Sequence, residues 1–174
     1  MKRIILILLL FSISPFAAAG DNPTIRPFAG SFSGTANFLL DGHCDDLTGV
    51  PFHTVTETVG KMAHHGKTSA AKAPLLGLAS FTTSHCTSPD GMHALYGEAI
   101  LTAANGHQVL FSYTADSIVP PPLIIQSISM VVTGGTGKFE GASGELAGYV
   151  FIDFLGTDVP DWPIEFALSG WIVY

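Results

Sequence analysis

The fold is decided by the stretch Gly134-Gly135-Thr136-Gly137-Lys138-Phe139-Glu140-Gly141-Ala142-Ser143-Gly144. It lies between Ile124–Thr133 and Leu146–Phe154, which are rich in the β-branched and aromatic residues typical of strands. Glycines let the backbone turn tightly and approach its neighbours closely, so that a phenylalanine can fold beneath them. The stretch therefore predicts an elaborate turn between two strands. Its structural residues are Gly134, Gly135, Gly137, Phe139, Gly141 and Gly144.

The same glycines do not form a nucleotide-binding loop. The P-loop pattern needs glycine at the position of Val132 and serine or threonine at the position of Phe139. The dinucleotide-binding pattern needs a third glycine where this chain has Glu140, and it opens a helix rather than a strand. We therefore expect no cofactor.

Working outward from the turn, strand-like segments follow one another along the chain. In Phe28–Leu40 apolar residues alternate with Ser, Thr and Asn, and His53–Val59 and Ile164–Tyr174 alternate as well. Asn105-Gly106 joins two β-rich runs and predicts a tight hairpin. About seven or eight strands without helices predict an all-β domain, either a barrel or a sandwich.

Four motifs resemble one group of barrels. The glycine turn is similar to that of the allene oxide cyclase and dirigent barrels, usually GGTG-[RK]-F-x-x-A-x-G. Three further stretches resemble motifs of small secreted bacterial proteins in this group, namely Gly60–Thr68, Ala103–His107 and Ser169–Tyr174. Ala63 and His65 depart from the first of these motifs and His107 from the second. The resemblance implies a single closed antiparallel barrel of about eight strands, but it carries no catalytic residue onto this chain.

The N-terminus has the pattern of a secretory signal peptide. Lys2 and Arg3 precede the apolar stretch Ile4–Phe16, and small residues that suit cleavage follow it. This apolar stretch is shorter than the roughly 20 residues that a membrane-spanning helix needs. We expect a signal peptide at residues 1–19 and one β-barrel domain at residues 20–174, in a secreted or periplasmic protein.

The charge of the chain excludes some partners. Removal of Lys2 and Arg3 changes the formal net charge from −7 to −9, because 5 basic residues then stand against 14 acidic ones. An acidic chain without a basic cluster is not expected to bind nucleic acid or, after signal cleavage, an anionic membrane surface.

The two cysteines, Cys44 and Cys86, are expected in separate loops. In an oxidising compartment they predict one disulfide, whose loop closure would stabilise the fold by about 4 kcal/mol. The alternative is a metal site with the adjacent His43 and His85, although the usual local ligand spacings are absent. The histidines show no H-E-x-x-H or H-x-H pattern, so we expect no metal, and no serine lies in G-x-S-x-G.

Glu57 is the first candidate for acid–base chemistry. It shares a strand face with Val55 and Val59, which we expect to point into the barrel, where burial favours the neutral carboxyl group of a general acid. Glu98 and Tyr113 are weaker candidates on other strands. The alternative is a register in which Glu57 faces water and threonines face the core.

The expected function is a small barrel whose interior holds a small apolar ligand, since eight-stranded barrels are just wide enough for side chains or one ligand. The expected lining residues are Phe32, Phe38, Val55, Ile100, Phe111, Val150, Ile152 and Phe166. One alternative is a cyclase or isomerase acting there on a hydrophobic substrate, and another is an eight-stranded outer-membrane barrel. The sequence does not identify the ligand, a reaction or an oligomeric state.

Overall fold

The structure is a computed structural model that describes residues 24–50, 52–64, 76–156 and 159–174. Residues 1–19 and the end of the Gly60–Thr68 motif lie outside the described residues. Eight strands make up nearly all of the domain: β1 (Ile25–Leu39), β2 (His53–His64), β3 (Leu76–Thr87), β4 (His93–Thr102), β5 (Gln108–Val119), β6 (Leu123–Gly135), β7 (Ser143–Asp153) and β8 (Trp162–Val173). A short helix, α1 (Asp45–Thr48), and a 3₁₀ turn at Gly137–Phe139 were not predicted. Among the described residues, no helix has the length and apolar character needed to cross a membrane.

The strands close into a single antiparallel barrel. Each strand pairs with the next along the chain, and β1 pairs with β8. Phe32 on β1 therefore lies opposite Gly60 on β2 and opposite Phe166 on β8. The predicted eight-stranded barrel is confirmed by this pairing.

Aromatic rings fill the middle of the barrel. The Phe81 ring lies 5.1 Å from that of Phe32, 5.3 Å from that of Phe166 and 6.4 Å from that of Phe111, measured between centroids. Phe81 is 1% exposed. Inward side chains from alternate positions of the strands thus form one continuous core.

The predicted orientation of β2 is wrong. Thr54, Thr56 and Thr58 face the interior, whereas Glu57 is exposed and Val55 lies on the outer side. Threonine can take these positions because its hydroxyl group finds partners: that of Thr56 shares a hydrogen bond of 2.8 Å with Thr83, and that of Thr58 donates to a backbone carbonyl.

The predicted orientation of β4 is also wrong. Ile100 is 38% exposed and Glu98 is exposed, while the neighbouring Ala99 and Leu101 are buried. The pairing of β4 with β5 shifts register between Ala94 and Gly97. Nearer the turn, Thr102 pairs with Gln108, one position from the register that a two-residue Asn105-Gly106 turn gives, so Ala99 and Leu101 rather than Ile100 point into the core.

The glycine stretch forms the predicted turn between β6 and β7. Gly137 and Gly141 adopt φ values of 59° and 73°, a region that residues with a side chain rarely enter. Phe139 between them is 5% exposed and packs edge-on against Tyr174, with ring centroids 4.7 Å apart. The turn therefore places an aromatic side chain under one mouth of the barrel.

The predicted disulfide is confirmed. Cys44 and Cys86 are bonded, with Cα atoms 5.6 Å apart, and both are buried. Cys44 lies in the loop between β1 and β2, as expected, but Cys86 belongs to strand β3 rather than to a loop. The bond holds the loop against the outer side of β3. It also removes the two thiolates that the alternative metal site would need.

Candidate functional site

The barrel interior is occupied by side chains. Of the predicted lining residues, Phe32, Phe111, Val150, Ile152 and Phe166 are buried, and Phe38 packs partly buried against the core. Val55 and Ile100 point outward instead. A cavity of about 10 Å³ lies among Thr56, Thr83, His85 and Tyr113. That volume holds one water molecule at most, which is too little for a ligand at this position.

A pair of polar rings borders this small cavity. His85 Nδ1 and the Tyr113 hydroxyl group are 2.8 Å apart. Burial lowers the pKa of His85 to about 4, helped by the nearby His53, and burial raises the pKa of Tyr113. Both groups are therefore neutral at pH 7. Such a pair satisfies its own hydrogen bonds and serves the packing of this end of the barrel.

The predicted acid–base candidates do not meet. Tyr113 points inward, whereas Glu57 and Glu98 lie on the outer surface of different strands. The expectation that Glu57 borders the interior is wrong because the threonine face of β2 is the buried one. No arrangement of these three residues around a common substrate follows from the fold.

A second open space lies outside the barrel. A groove of about 440 Å³ runs over β1, with β2 and β3 on one side and β8 and β7 on the other. Its floor is formed by short outward side chains, those of Ser31, Ser33 and Ala167. The volume lies within the range of small-molecule sites, roughly 300–1,000 Å³.

Longer apolar side chains form the two walls of this groove. Val59 and Leu78 are 59% and 67% exposed on one side, and Phe151 is 38% exposed on the other. Small residues on the central strand and large ones on its neighbours thus create the depression.

Glu165 is the ionisable residue in the lining of the groove. Register places it beside Ser33 on β1 and Phe151 on β7. In the part of the chain that the structure describes, Glu165 takes part in no ion pair. The groove therefore combines apolar walls, two hydroxyl groups and one carboxylate that is paired with none of the described cations.

Sequence reasoning missed this groove because it sought a site inside the barrel. The outward positions of β1 carry the short side chains of Ser31 and Ser33 on either side of the buried Phe32. This was the sequence signal for a depression on the outer surface. Recognising it required knowing that Val59, Leu78 and Phe151 come to lie around those serines, which depends on the pairing of five strands.

Comparisons with known proteins do not assign the chain to a family. No family model matches the chain, and no curated protein matches it. Among solved structures, the chain is similar to a pterocarpan synthase dirigent protein, at 17% identity and a TM-score of 0.42, over 93% of this chain and 96% of the other. The barrel is defined by the strand pairing itself.

Proposed function

We propose that this protein is an extracytoplasmic binding protein for small apolar molecules and that the ligand lies in the outer groove over β1. The observation that carries the proposal is the groove itself, a depression of about 440 Å³ with exposed apolar walls. A ligand there would cover side chains that otherwise face water, which is favourable at about 25 cal/mol per Å² of apolar surface.

The single carboxylate narrows the class of ligand. Glu165 has no cationic partner among the described residues, and the chain as a whole is acidic. An ammonium or another hydrogen-bond donor on the ligand would pair with this carboxylate, whereas an anionic group would be repelled. The proposed ligand is therefore an apolar molecule that carries an amine or a hydroxyl group.

We further propose that the exported protein is located in an aqueous compartment. The pattern of residues 1–19 and the Cys44–Cys86 disulfide both favour an oxidising compartment outside the cytoplasm. The outward faces of β1 and β6 carry Ser31, Ser33, Ser127 and Ser129. Recovery of the mature chain in soluble form without detergent tests this location.

The packed interior disfavours the enzymatic alternative. A cyclase or isomerase acting inside the barrel would have to enclose its substrate, and the space beside Tyr113 is about 10 Å³. The outward carboxylates Glu57 and Glu98 cannot serve chemistry in that interior.

Blocking the groove tests the binding proposal. Ser31→Phe places a ring on the groove floor, and Ser129→Phe places the same ring on the outer face of β6, away from the groove. The probe is N-phenyl-1-naphthylamine, an apolar amine whose fluorescence rises on leaving water. We expect Ser31→Phe to weaken probe binding by at least about tenfold and Ser129→Phe to leave it unchanged. Equal binding by both variants would rule out the groove as the site.

A second variant tests the ligand class. Glu165→Gln keeps the shape of the side chain and removes its charge. We expect it to weaken binding of a protonated alkylamine more than binding of the matching alcohol. Native mass spectrometry of protein purified from its own host would identify a retained molecule, and a retained organic anion would contradict the proposed class.

A further inference from the structure

A hydrogen-bonded chain of three side chains lies outside the barrel, away from the groove. His53 Nδ1 is 2.9 Å from an Asp41 carboxylate oxygen, and His53 Nε2 is 2.8 Å from the Ser84 hydroxyl oxygen. The order is serine, histidine, aspartate. That is the order in which a histidine activates a serine nucleophile while a carboxylate orients the ring, on folds that are otherwise unrelated.

The disulfide and the strand register bring the three residues together. His53 begins β2 and lies opposite Cys86 on β3. Ser84 is on the same strand as Cys86, two residues before it. Asp41 lies in the loop after β1, and the bond from Cys44 to Cys86 fastens this loop over the two strands. The positions of the three side chains are therefore fixed by covalent and backbone constraints rather than by their own hydrogen bonds alone.

The electrostatics set the direction of each hydrogen bond. The hydrogen bond from His53 lowers the pKa of Asp41, and the backbone N–H of His43 adds to this. An ionised Asp41 can only accept, so a neutral His53 carries its proton on Nδ1 and leaves Nε2 to accept from Ser84. The His43 ring lies against the His53 ring, with centroids 4.5 Å apart, and limits its rotation.

The strand geometry around Ser84 is irregular on the side away from His53. The pairing of β3 with β4 shifts register directly after Ser84, between Ser84 and Cys86. Bulges of this kind redirect side chains and are frequent beside active sites. Ser84 itself is only partly buried on the outer surface, between Val55 and Glu98 on the neighbouring strands.

We propose that Ser84 is a nucleophile for acyl transfer, with His53 as general base and Asp41 as the residue that positions His53. The Ser84 oxygen attacks the carbonyl carbon of an acyl ester, and His53 Nε2 takes the hydroxyl proton. The same nitrogen returns this proton to the departing alcohol as the ester C–O bond breaks. Water, deprotonated by His53, then releases the acyl group as a carboxylic acid and restores Ser84.

The surroundings define the class of substrate. On one side of Ser84, Val55 offers an apolar contact to a short acyl chain. On the other side, the carboxylate of Glu98 repels a substrate that carries a negative charge. A serine on an outer sheet surface has an open approach and little enclosure, so stabilisation of the transition state is modest. The substrates are therefore uncharged, activated esters with a good leaving group, such as aryl esters of short fatty acids.

Covalent labelling tests the nucleophile directly. The folded mature protein is incubated with a fluorophosphonate, which phosphonylates activated serines, and the modified residue is located by peptide mass spectrometry. The comparison variant is Ser80→Ala, which removes another outer-face serine of β3, one that is hydrogen-bonded to no histidine among the described residues. We expect labelling at Ser84 in the parent protein and in Ser80→Ala, and none in Ser84→Ala.

Rates of p-nitrophenyl acetate hydrolysis then test the roles of the partners. We expect His53→Gln to lower kcat by at least about 100-fold, as loss of a general base does. We expect Asp41→Asn to lower kcat with little change in KM. The Asp41→Glu variant keeps a carboxylate, so its kcat should lie between those of Asp41→Asn and the parent protein. A merely structural role for Asp41 would change the thermal midpoint without this difference between Asn and Glu.

Two outcomes would overturn the proposal. One is a folded parent protein in which Ser84 is not labelled. The other is a rate of labelling that is the same in the parent, in His53→Gln and in Asp41→Asn. Should His53→Gln fail to fold, the exposed Asp41 variants and Ser84→Ala still decide the matter. None of these measurements depends on the groove over β1.

Discussion

Phe139→Ala is the substitution whose effect follows most directly from the structure. The ring is 5% exposed at the mouth of the barrel, against Tyr174, and the Lys138 ammonium lies 4.6 Å from its centroid. Removal of a buried phenylalanine side chain loses its transfer free energy and leaves a cavity, which together cost about 3–5 kcal/mol. The substitution also removes the edge-on contact with Tyr174. Such aromatic pairs contribute roughly 0.5–1.5 kcal/mol, and this amount is part of the total loss. We expect a loss in the upper part of this range, because the glycine turn holds the backbone and limits collapse onto the cavity.

Urea unfolding monitored by tryptophan fluorescence measures the loss. Trp162 is 5% exposed in the folded state and becomes accessible on unfolding, so its emission reports the transition. The matched control is Tyr149→Ala, which removes an aromatic side chain that is 51% exposed and should change stability by less than about 0.5 kcal/mol. A loss for Phe139→Ala below about 1 kcal/mol, at an unchanged m-value, would show that the ring does not support the barrel mouth.

Three further predictions concern stability. Joint replacement of Cys44 and Cys86 by serine opens a loop with a sequence separation of 42 and should cost about 4 kcal/mol, and an unchanged unfolding midpoint would contradict this. The lowered pKa of His85, about 4 against an ordinary 6.5, means that the unfolded chain binds more protons between these values. The stability that depends on neutral His85 is therefore complete above about pH 6.5 and is lost as pH falls toward 4, and an NMR titration midpoint near 6.5 would refute this. Gly148→Ala should cost about 2 kcal/mol or more, because the new Cβ atom would overlap the Ala167 carbonyl oxygen on β8, and full stability of this variant in urea would disprove the close approach.

Alternation in the sequence predicts orientation well where one face is plainly apolar. In β1 the core positions Phe28, Phe32 and Ala36 alternate with outward Ser and Thr, and in β8 large apolar residues from Trp162 to Ile172 face the core at alternate positions. In β2 the two faces are valine and threonine, which have almost the same shape. The barrel buries the threonines because cross-strand oxygens satisfy their hydroxyl groups, as for Thr56 and Thr58. Alternation alone does not distinguish these two cases.

Two other features escaped the sequence for different reasons. The C-terminal part of strand β3 consists of Thr, Ser, His and Cys residues, a composition that is typical of a loop. In β4 the hairpin pairs Thr102 with Gln108, one position from the register of a two-residue turn at Asn105-Gly106, and this shift turns the opposite face of the strand inward. The groove and the Ser84–His53–Asp41 chain both depend on such non-local pairings, whereas the glycine turn and the disulfide arise from recognisable residue types.

The pairing of β1 with β8 affects how the chain can be made. A ribosome releases β1 first, and its partner β8 last, so one side of β1 has no ladder partner for nearly the whole of synthesis. A chain that ended before Trp162 would expose two open sheet edges, on β1 and on β7, and such edges template aggregation. Termination of the chain before β8 should therefore yield proteolysed or aggregated product rather than a smaller folded form.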